Sequence, residues 1–457
     1  MAEVATIVLA AGKGTRMKSR LPKVLHQICG KPMVEHVLTA AQALGIEKQV
    51  VVVGFGAEDV QTALGDQCAY VVQKEQLGTG HAVLQAEALF ANFTGTVMVL
   101  CGDTPLLTKE LLAGLLAEHE KQQNAATVLT ACLTNPTGYG RVIRDQAGGV
   151  VKIVEQKDAS AEEQLVQEIN TGIYCFAGQE LFNALHGITA DNAQGEYYLT
   201  DVIEVAVRAG KRVGAFTTED FVDTLGVNSR AQLAEAETIM RDRIRLHWME
   251  AGVTLMDPAS TYIDCDVILE PDTVIYPQTW LAGRTRIGRD CIIGPQVHIK
   301  NSVIGHNTHV HFAHVMDSSL GEHVNVGPFV NLRPGTHLAD NVRVGNFVEV
   351  KNSQIGQGSK VPHLSYIGDT DMGAKVNIGS GTITVNYDGK VKHRTVIEDE
   401  AFVGCNSNLI APVTVGRGAY VAAGSTITKD VPPAALGVAR ARQSNIEGWT
   451  QRKKSGE

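Results

Sequence analysis

From Ile263 to Ile427 branched aliphatic residues return every six positions. Ile263, Leu269, Ile275, Leu281, Ile287, Ile293 and Ile299 keep that beat, and after some five-residue steps it resumes at Leu320, Val326, Leu332, Leu338, Val344 and Val350. It comes back at Val403, Leu409, Val415, Val421 and Ile427. A period of six fits neither an amphipathic helix nor the simple alternation of a half-buried strand. A fixed short repeat marks a solenoid, and hexapeptide repeats mark a β-helix. One hexad makes one flat side and three make a triangular coil. Each aliphatic side chain then points into a shaft that stacked coils bury together. Gly often follows the aliphatic residue, as at Gly288, Gly294, Gly305 and Gly345, which suggests corners with unusual backbone angles. A β-sandwich with regular turns is the alternative, and it explains the beat less well.

Residues 1 to about 230 show a different rhythm. Short apolar runs at Val4–Leu9, Gln49–Val53 and Val97–Cys101 alternate with helical patterns near Met33–Leu44, Glu58–Leu64, Gly80–Phe90 and Lys109–His119. That alternation predicts a Rossmann-like α/β domain with a parallel sheet and ligands at the carboxyl ends of its strands. A charged helical pattern carrying Leu233, Ala236, Met240 and Ile244 predicts a helix over about Ser229 to Ala251. The expected division is therefore 1–230 α/β domain, 231–251 connecting helix and 252–457 β-helix. From Ala434 the beat stops, so an irregular or helical tail should follow.

A chain of 457 residues exceeds one compact core, and 44% hydrophobic with 19% charged residues reads as a globular protein. The net charge of −9 argues against a general nucleic-acid or anionic-membrane binder. The opening residues Met1 to Gly14 read as neither a signal peptide nor a membrane span, and the basic cluster Gln451 to Lys454 as a solvated end. Eight scattered cysteines without a CxxC pair suit free thiols in a cytoplasmic protein better than disulfides or a metal cluster.

Candidate chemistry begins after the first strand, at Leu9-Ala10-Ala11-Gly12-Lys13-Gly14-Thr15-Arg16-Met17, followed by Pro22-Lys23. Small residues at a strand-to-helix turn let backbone N–H groups approach a phosphate, and Arg16 and Lys23 can add charge. The spacing is neither the Walker pattern nor GxGxxG. It closely resembles the signature of sugar-1-phosphate nucleotidylyltransferases. Together with the hexapeptide solenoid, nearly the whole chain resembles the bacterial family of bifunctional N-acetylglucosamine-1-phosphate uridylyltransferases / glucosamine-1-phosphate acetyltransferases.

The resemblance assigns expected roles. Gln73 and the run Gln76 to His81, with Gly78 and Thr79, match the segment that contacts uracil. Cys101-Gly102-Asp103 ends a strand, and Asp103 with Asn228 matches the Mg²⁺ ligands, an ion suited to few carboxylates plus phosphate oxygens. Gly140, Glu155 and Asn170 match the segments that hold the sugar. The implied reaction is in-line attack of a sugar phosphate on the α-phosphorus of UTP, with Lys23 and Arg16 steadying the reacting groups.

In the solenoid, Lys360 to Asp369 and Thr384 to Val396 read as breaks in the hexad, which invite sites. Arg333, Lys351, His363, Tyr366, Asn377, Asn386 and Tyr387 match the acetyltransferase positions. The resemblance makes His363 the general base that frees the amine of glucosamine-1-phosphate to attack acetyl-CoA, with Arg333 and Lys351 gripping its phosphate. Tyr366 or a backbone N–H would steady the oxyanion. Ala423 and Arg440 match coenzyme A contacts, while Ser380 and Cys405 stand where the family often has Ala and Ser. A homotrimer feeding peptidoglycan and lipopolysaccharide synthesis is implied, with no nucleic-acid or membrane partner. The histidines from His306 to His314 read as solvent-facing hexad positions, a zinc site between subunits being the alternative. Two rivals are a monofunctional nucleotidylyltransferase with a structural β-helix, against which His363, Arg333 and Lys351 count, and a non-catalytic scaffold, against which the intact run Gly12 to Arg16, Lys23 and Asp103 argue.

Overall fold

The computed structural model describes residues 3–455, so the expected limits at residues 1 and 457 lie outside the described residues. The chain forms two compact units, Met1–Met240 and Arg241–Glu457, and the boundary falls inside the helix Arg230–Glu250.

The first unit is built on a sheet whose strands run, edge to edge, Val213–Thr218, Ala126–Cys132, Glu168–Ala177, Thr96–Cys101, Val4–Ala10, Lys48–Val53 and Ala69–Val72. The three expected strands are present and parallel, with Ile7 beside Val50 and Val99. The sheet is not parallel throughout, because Glu168–Ala177 runs antiparallel to both its neighbours. That strand also carries the hairpin Arg141–Arg144 and Val150–Val154. Val8, Val51 and Leu100 are fully buried, which is why these runs read as continuous apolar stretches. The helix expected over Gly80–Phe90 is two pieces, Thr79–Leu84 and a single turn Glu87–Phe90.

The second unit is a left-handed parallel β-helix of three sheets, with 11, 10 and 9 short strands. Every aliphatic residue of the six-residue beat lies in one buried column, continued at its start by Val253 and Leu255 and packed by Ile244 and Trp248. A second interior position escaped the aliphatic pattern. Two residues before the aliphatic one, Thr273, Thr279, Thr285, Ser302, Thr308, Thr336 and Ser407 are also buried. Their hydroxyls donate to backbone carbonyls, as Thr285 does to Ala282 at 2.7 Å, so polar groups are satisfied inside the shaft.

The glycines after the aliphatic residue have a different cause from the one expected. Gly288, Gly305 and Gly345 do not adopt left-handed angles, although Gly294 does. A Cβ on Gly345 would lie 1.9 Å from the Pro362 carbonyl oxygen of the next coil. Close stacking of coils therefore demands these glycines. The left-handed corners are taken instead by residues such as Asp290, Asn301, Asn307, Asn341 and Asn352, types that tolerate that region through short polar side chains.

The run Lys360 to Asp369 does not leave the stack. Val361 and Ile367 sit fully buried in the column, and Arg343–Asn346 pairs with Lys360–His363. The other excursion is real: a loop leaves the stack between the strands Ile383–Val385 and Thr395–Ile397. The expected tail also begins later than Ala434, since Leu436–Gly437 still pairs with Tyr420–Val421 before the exposed stretch that ends in the helix Trp449–Ser455. Among the described residues no two cysteines form a disulfide.

Candidate active sites

In the first unit a cavity of about 430 Å³ opens at the carboxyl ends of the central strands. Leu9, Ala10, Ala11, Gly12, Lys23, Gln73, Gly78, Thr79, Cys101 and Asp103 line it, joined by Lys13, Gln76 and Glu196. The strand Val4–Ala10 ends at its rim, so the turn through Gly12 presents backbone to the cavity. Opposite, Gly78 has φ +113°, and a Cβ there would meet the Tyr197 carbonyl oxygen at 2.5 Å. The segments Leu77–Gly80 and Tyr197–Leu199 are laced together, Gly80 N donating to Tyr197 O at 2.8 Å and Tyr197 N to Leu77 O at 2.8 Å.

At the floor, the Lys23 ammonium bridges the carboxylate of Asp103 and the amide oxygen of Asn228, the latter at 3.0 Å. Val227 N donates to Asp103 O at 2.8 Å, which ties the two segments together. An oxygen pair already holding a positive group is a donor set that fits a divalent cation. Beside it, burial and the Asp103 charge push the Cys101 thiol up to about 12, and its Sγ donates to Gly172 O at 3.4 Å. Cys101 is thus a neutral wall residue.

Gly140, Glu155 and Asn170 lie together: Asn170 N donates to Gly140 O at 2.9 Å, and a Cβ on Gly140 would reach Glu155 Oε1 at 3.4 Å. Burial, aided by Asp158 and Asp201, raises the Glu155 carboxyl above its ordinary value. Gly102 is anchored by its N–H to Leu9 O at 2.9 Å. Arg16 is exposed on the single turn Thr15–Met17 and does not line the cavity, where Lys13 does.

In the β-helix the expected residues fall on two neighbouring columns. His363 pairs across coils with Asn346, whose Oδ1 is 2.8 Å from His363 Nδ1. An amide oxygen only accepts, so Nδ1 carries the hydrogen and, in the neutral ring, Nε2 keeps its lone pair. Along the same corner, Leu364 O accepts from Gly381 N at 2.9 Å, Ser380 O from Asn406 N at 2.7 Å and Cys405 O from Gly424 N at 2.8 Å. Ser380, Cys405 and Ala423 therefore succeed one another coil by coil beyond His363, and the Arg440 Cδ lies about 4.0 Å from where a Gly424 Cβ would sit.

The second column holds the charges. Arg333 pairs with Glu349 at 2.9 Å, and Lys351 stands 3.6 Å from Asp369. Burial works to raise the Asp369 carboxyl, but hydrogen bonds from Asn352 and Asn386 and the charges of Lys351 and Lys392 outweigh it and hold it low. Tyr366 lies over Gly368, where a Cβ would meet its hydroxyl at 2.4 Å, and that hydroxyl is 3.4 Å from Asn386 Nδ2. Tyr387 folds onto its own loop, donating to Gly389 O at 2.8 Å. Asn377 sits on the face before His363's corner, pairing with Lys360. Two residues here were not anticipated. Lys392, on the excursion, comes close enough to Lys351 to have its pKa lowered by it, and the two lysines gather beside Asp369. Asn346 orients His363.

Residues 5–254 match the Nucleotidyl transferase family, and residues 394–429 match the Bacterial transferase hexapeptide family of six repeats. The chain is 56% identical over 446 residues to the bifunctional protein GlmU of Geobacillus sp. (strain WCH70), covering 98% of this chain and 97% of that one. It is 58% identical to the GlmU of Exiguobacterium sp. (strain ATCC BAA-1283 / AT1b), over 98% and 99% respectively. The GlmU of Halalkalibacterium halodurans is 54% identical, over 98% of each chain. The chain belongs to the bifunctional GlmU family. It is accordingly a uridylyltransferase and an acetyltransferase in one polypeptide, and its GlmU nucleotidyl transfer goes with a divalent metal.

Among the described residues no three His, Cys, Asp or Glu side chains group as metal ligands, and no helix is long and apolar enough to cross a membrane. Of the solenoid histidines, His298 stacks on Trp280 at 4.7 Å and meets His314 edge-on at 5.5 Å. His306 faces Glu270 at 3.5 Å.

Proposed function

We propose that the two sites work in sequence. The β-helix site transfers acetyl from acetyl-CoA to glucosamine-1-phosphate, and the cavity of the first unit then joins the product to UTP, releasing pyrophosphate and UDP-N-acetylglucosamine. The observation that carries this reading is the pairing of a phosphate-type turn with a half-buried Asp103–Lys23–Asn228 cluster in one unit, and of an oriented His363 beside clustered cations in the other.

In the first site, the oxygen donors Asp103 and Asn228 would hold Mg²⁺, which supplies charge neutralisation for the triphosphate when bound. Lys23, drawn off those oxygens, turns its ammonium to phosphate oxygens. The backbone from Leu9 to Gly12 approaches the nucleotide, Gln73, Gly78 and Thr79 face uracil, and Cys101 and Gly102 close the floor. Gly140, Glu155 and Asn170 hold the sugar, and Arg16 reaches the triphosphate from the rim. Positioning and charge account for catalysis; no protein nucleophile is needed.

In the second site, Arg333, Lys351 and Lys392 grip the sugar phosphate. His363 Nε2 takes a proton from the substrate ammonium, and the amine attacks the thioester carbonyl while Tyr366 or a backbone N–H steadies the oxyanion. Asn377, Asn386 and Tyr387 frame the sugar. The column Ser380, Cys405, Ala423 and Arg440 would carry the coenzyme A arm.

We also propose a homotrimer. Beside His363, Phe312, Phe329 and Phe347 stack at 5.5 and 5.3 Å, and Phe329, Phe347 and Leu364 remain 55%, 57% and 61% exposed. An apolar ladder of that kind asks for cover, and a neighbouring β-helix would also wall the otherwise open acetyl site. The domain limits 1–230, 231–251 and 252–457, and a cytoplasmic location supplying peptidoglycan and lipopolysaccharide precursors, complete the reading.

The test is an omission series with glucosamine-1-phosphate, acetyl-CoA, UTP and Mg²⁺, following free thiol and pyrophosphate separately. Thiol release should need no UTP, and pyrophosphate release should need acetyl-CoA. Pyrophosphate only from added N-acetylglucosamine-1-phosphate, with no thiol, would leave a silent β-helix.

A further inference from the structure

Gln73 is almost wholly buried, yet it lines the nucleotide cavity. Its amide nitrogen lies 3.0 Å from Gly78 O and 3.0 Å from His81 Nδ1. A backbone carbonyl can only accept, so the Gly78 contact fixes which end of the amide is nitrogen. One hydrogen goes to Gly78, and the second has a partner only if His81 Nδ1 is bare. Among the described residues no group donates to Gln73 Oε1, which leaves that oxygen for a ligand.

From this geometry we infer that His81 is a positioning residue for pyrimidine selection: with Gly78 O it completes the lock on Gln73, so that the cavity is offered an acceptor and not a donor. Uracil carries a hydrogen on N3 and cytosine carries a lone pair there. A fixed amide oxygen accepts from uracil N3–H and confronts cytosine N3 with like polarity. An amide free to turn would present NH₂ and accommodate either base. The discrimination thus depends on a ring that need not touch the nucleotide.

The other ring nitrogen has a competing neighbour. Gln85 Nε2 lies 3.2 Å from His81 Nε2 and 3.0 Å from His81 O. A neutral imidazole has one acceptor nitrogen, so both amides cannot donate to it. Both amide nitrogens are fixed by a carbonyl, Gln73 by Gly78 O and Gln85 by His81 O. Gln73 is almost wholly buried, so its second hydrogen has only Nδ1, whereas the half-buried Gln85 can turn its second hydrogen to solvent. The ring sits on the helix Thr79–Leu84, which also frames the cavity through Thr79. Leu199 N, donating to Thr79 Oγ1 at 3.0 Å, fixes the start of that helix.

The inference rests on the uridylyltransferase reading, and one experiment separates the two. Pyrophosphate release would be measured with UTP and with CTP for the full-length protein and for His81→Leu, His81→Gln and His81→Asn. Asn places its oxygen near the Nδ1 position, whereas Gln places its own nearer Nε2, and Leu offers no acceptor. For Leu and Gln, the UTP KM should rise about tenfold, the scale of one buried hydrogen bond. Their kcat should hold within about twofold and their UTP-over-CTP preference should fall about tenfold. Asn should keep most of the preference. Acetyl transfer by the same samples reports that the chain has folded, and if Leu fails that control, Gln supplies the same comparison. Undiminished preference in the Gln variant, or an Asn variant as impaired as Gln, would overturn the inference. A wild-type enzyme indifferent to UTP and CTP would instead overturn the uridylyl reading beneath it.

Discussion

The two sites are built on opposite principles. The first is concave within one chain: strand ends and laced loops enclose about 430 Å³, and a charged cluster lies at the bottom. The second lies on the outside of a stack, with His363 exposed at a corner and its partners spread over successive coils. A sheet with crossover loops makes a pocket from the chain's own excursions. A β-helix repeats flat sides, so its chemistry rests on columns of side chains one coil apart and on the one loop that leaves the stack. The first site can be complete in one chain, and the second lies open unless the proposed neighbouring β-helix covers it.

The scaffolds should therefore fail differently. The largest effect belongs to the stack. Gly345→Ala drives a methyl group into the Pro362 carbonyl of the next coil, which cannot give way without parting the coils. A loss of more than about 3 kcal/mol is expected, on the scale of overpacked cores, read as a collapse in soluble yield or a large drop in Tm. Near-normal stability would show that the coils are less tightly stacked than 1.9 Å implies.

Smaller is the effect of removing the residue that aims the proposed base. Asn346→Ala leaves His363 in place but without its Nδ1 partner. Acetyl kcat should fall about tenfold, the worth of one oriented hydrogen bond, with pyrophosphate release unchanged. Equal rates in wild type and variant would remove Asn346 from the site.

Smallest is a pH effect that separates the sites by sign. Near the second site, hydrogen bonds and lysines hold Asp369 low despite burial. In the first unit burial prevails: desolvation, then Glu204 and Asp158, push Asp201 up to about 6. Its folded value thus lies above the unfolded one, near ~3.9. Between about pH 4 and 6 the folded state binds more protons, so this group lowers stability as pH rises through that window. Asp201→Asn should remove that decline, giving a shallower loss of Tm from pH 4 to 6 than wild type. Parallel Tm curves would contradict the assignment.

What was legible in the sequence follows from how local each signal is. The aliphatic beat is local, and it located the shaft from Ile263 to Ile427. The turn Leu9 to Gly12 and the strand end at Asp103 are local too, and both reach the cavity. The antiparallel course of Glu168–Ala177 is a matter of pairing with distant strands, and nothing in that segment alone announces it. Lys360 to Asp369 looked like a break because its polar residues drew attention, although Val361 and Ile367 keep the beat. The buried Thr and Ser positions are polar, so a pattern of aliphatic residues passes over them. Asn346 could have been found, since it stands one coil, 17 residues, before His363 on the same column. Lys392 could not, because its place depends on how the excursion folds back toward Lys351.

The central claim is that one chain holds two chemically independent sites. Its most direct test measures thiol release and pyrophosphate release, each from its own preformed substrates, for His363→Ala and Asp103→Ala side by side. His363→Ala should lose acetyl transfer by about 10²–10⁴-fold, the range for a general base, and keep uridylyl transfer within about twofold. Asp103→Ala should do the reverse. A variant that loses both activities equally while remaining folded would contradict the two-site account.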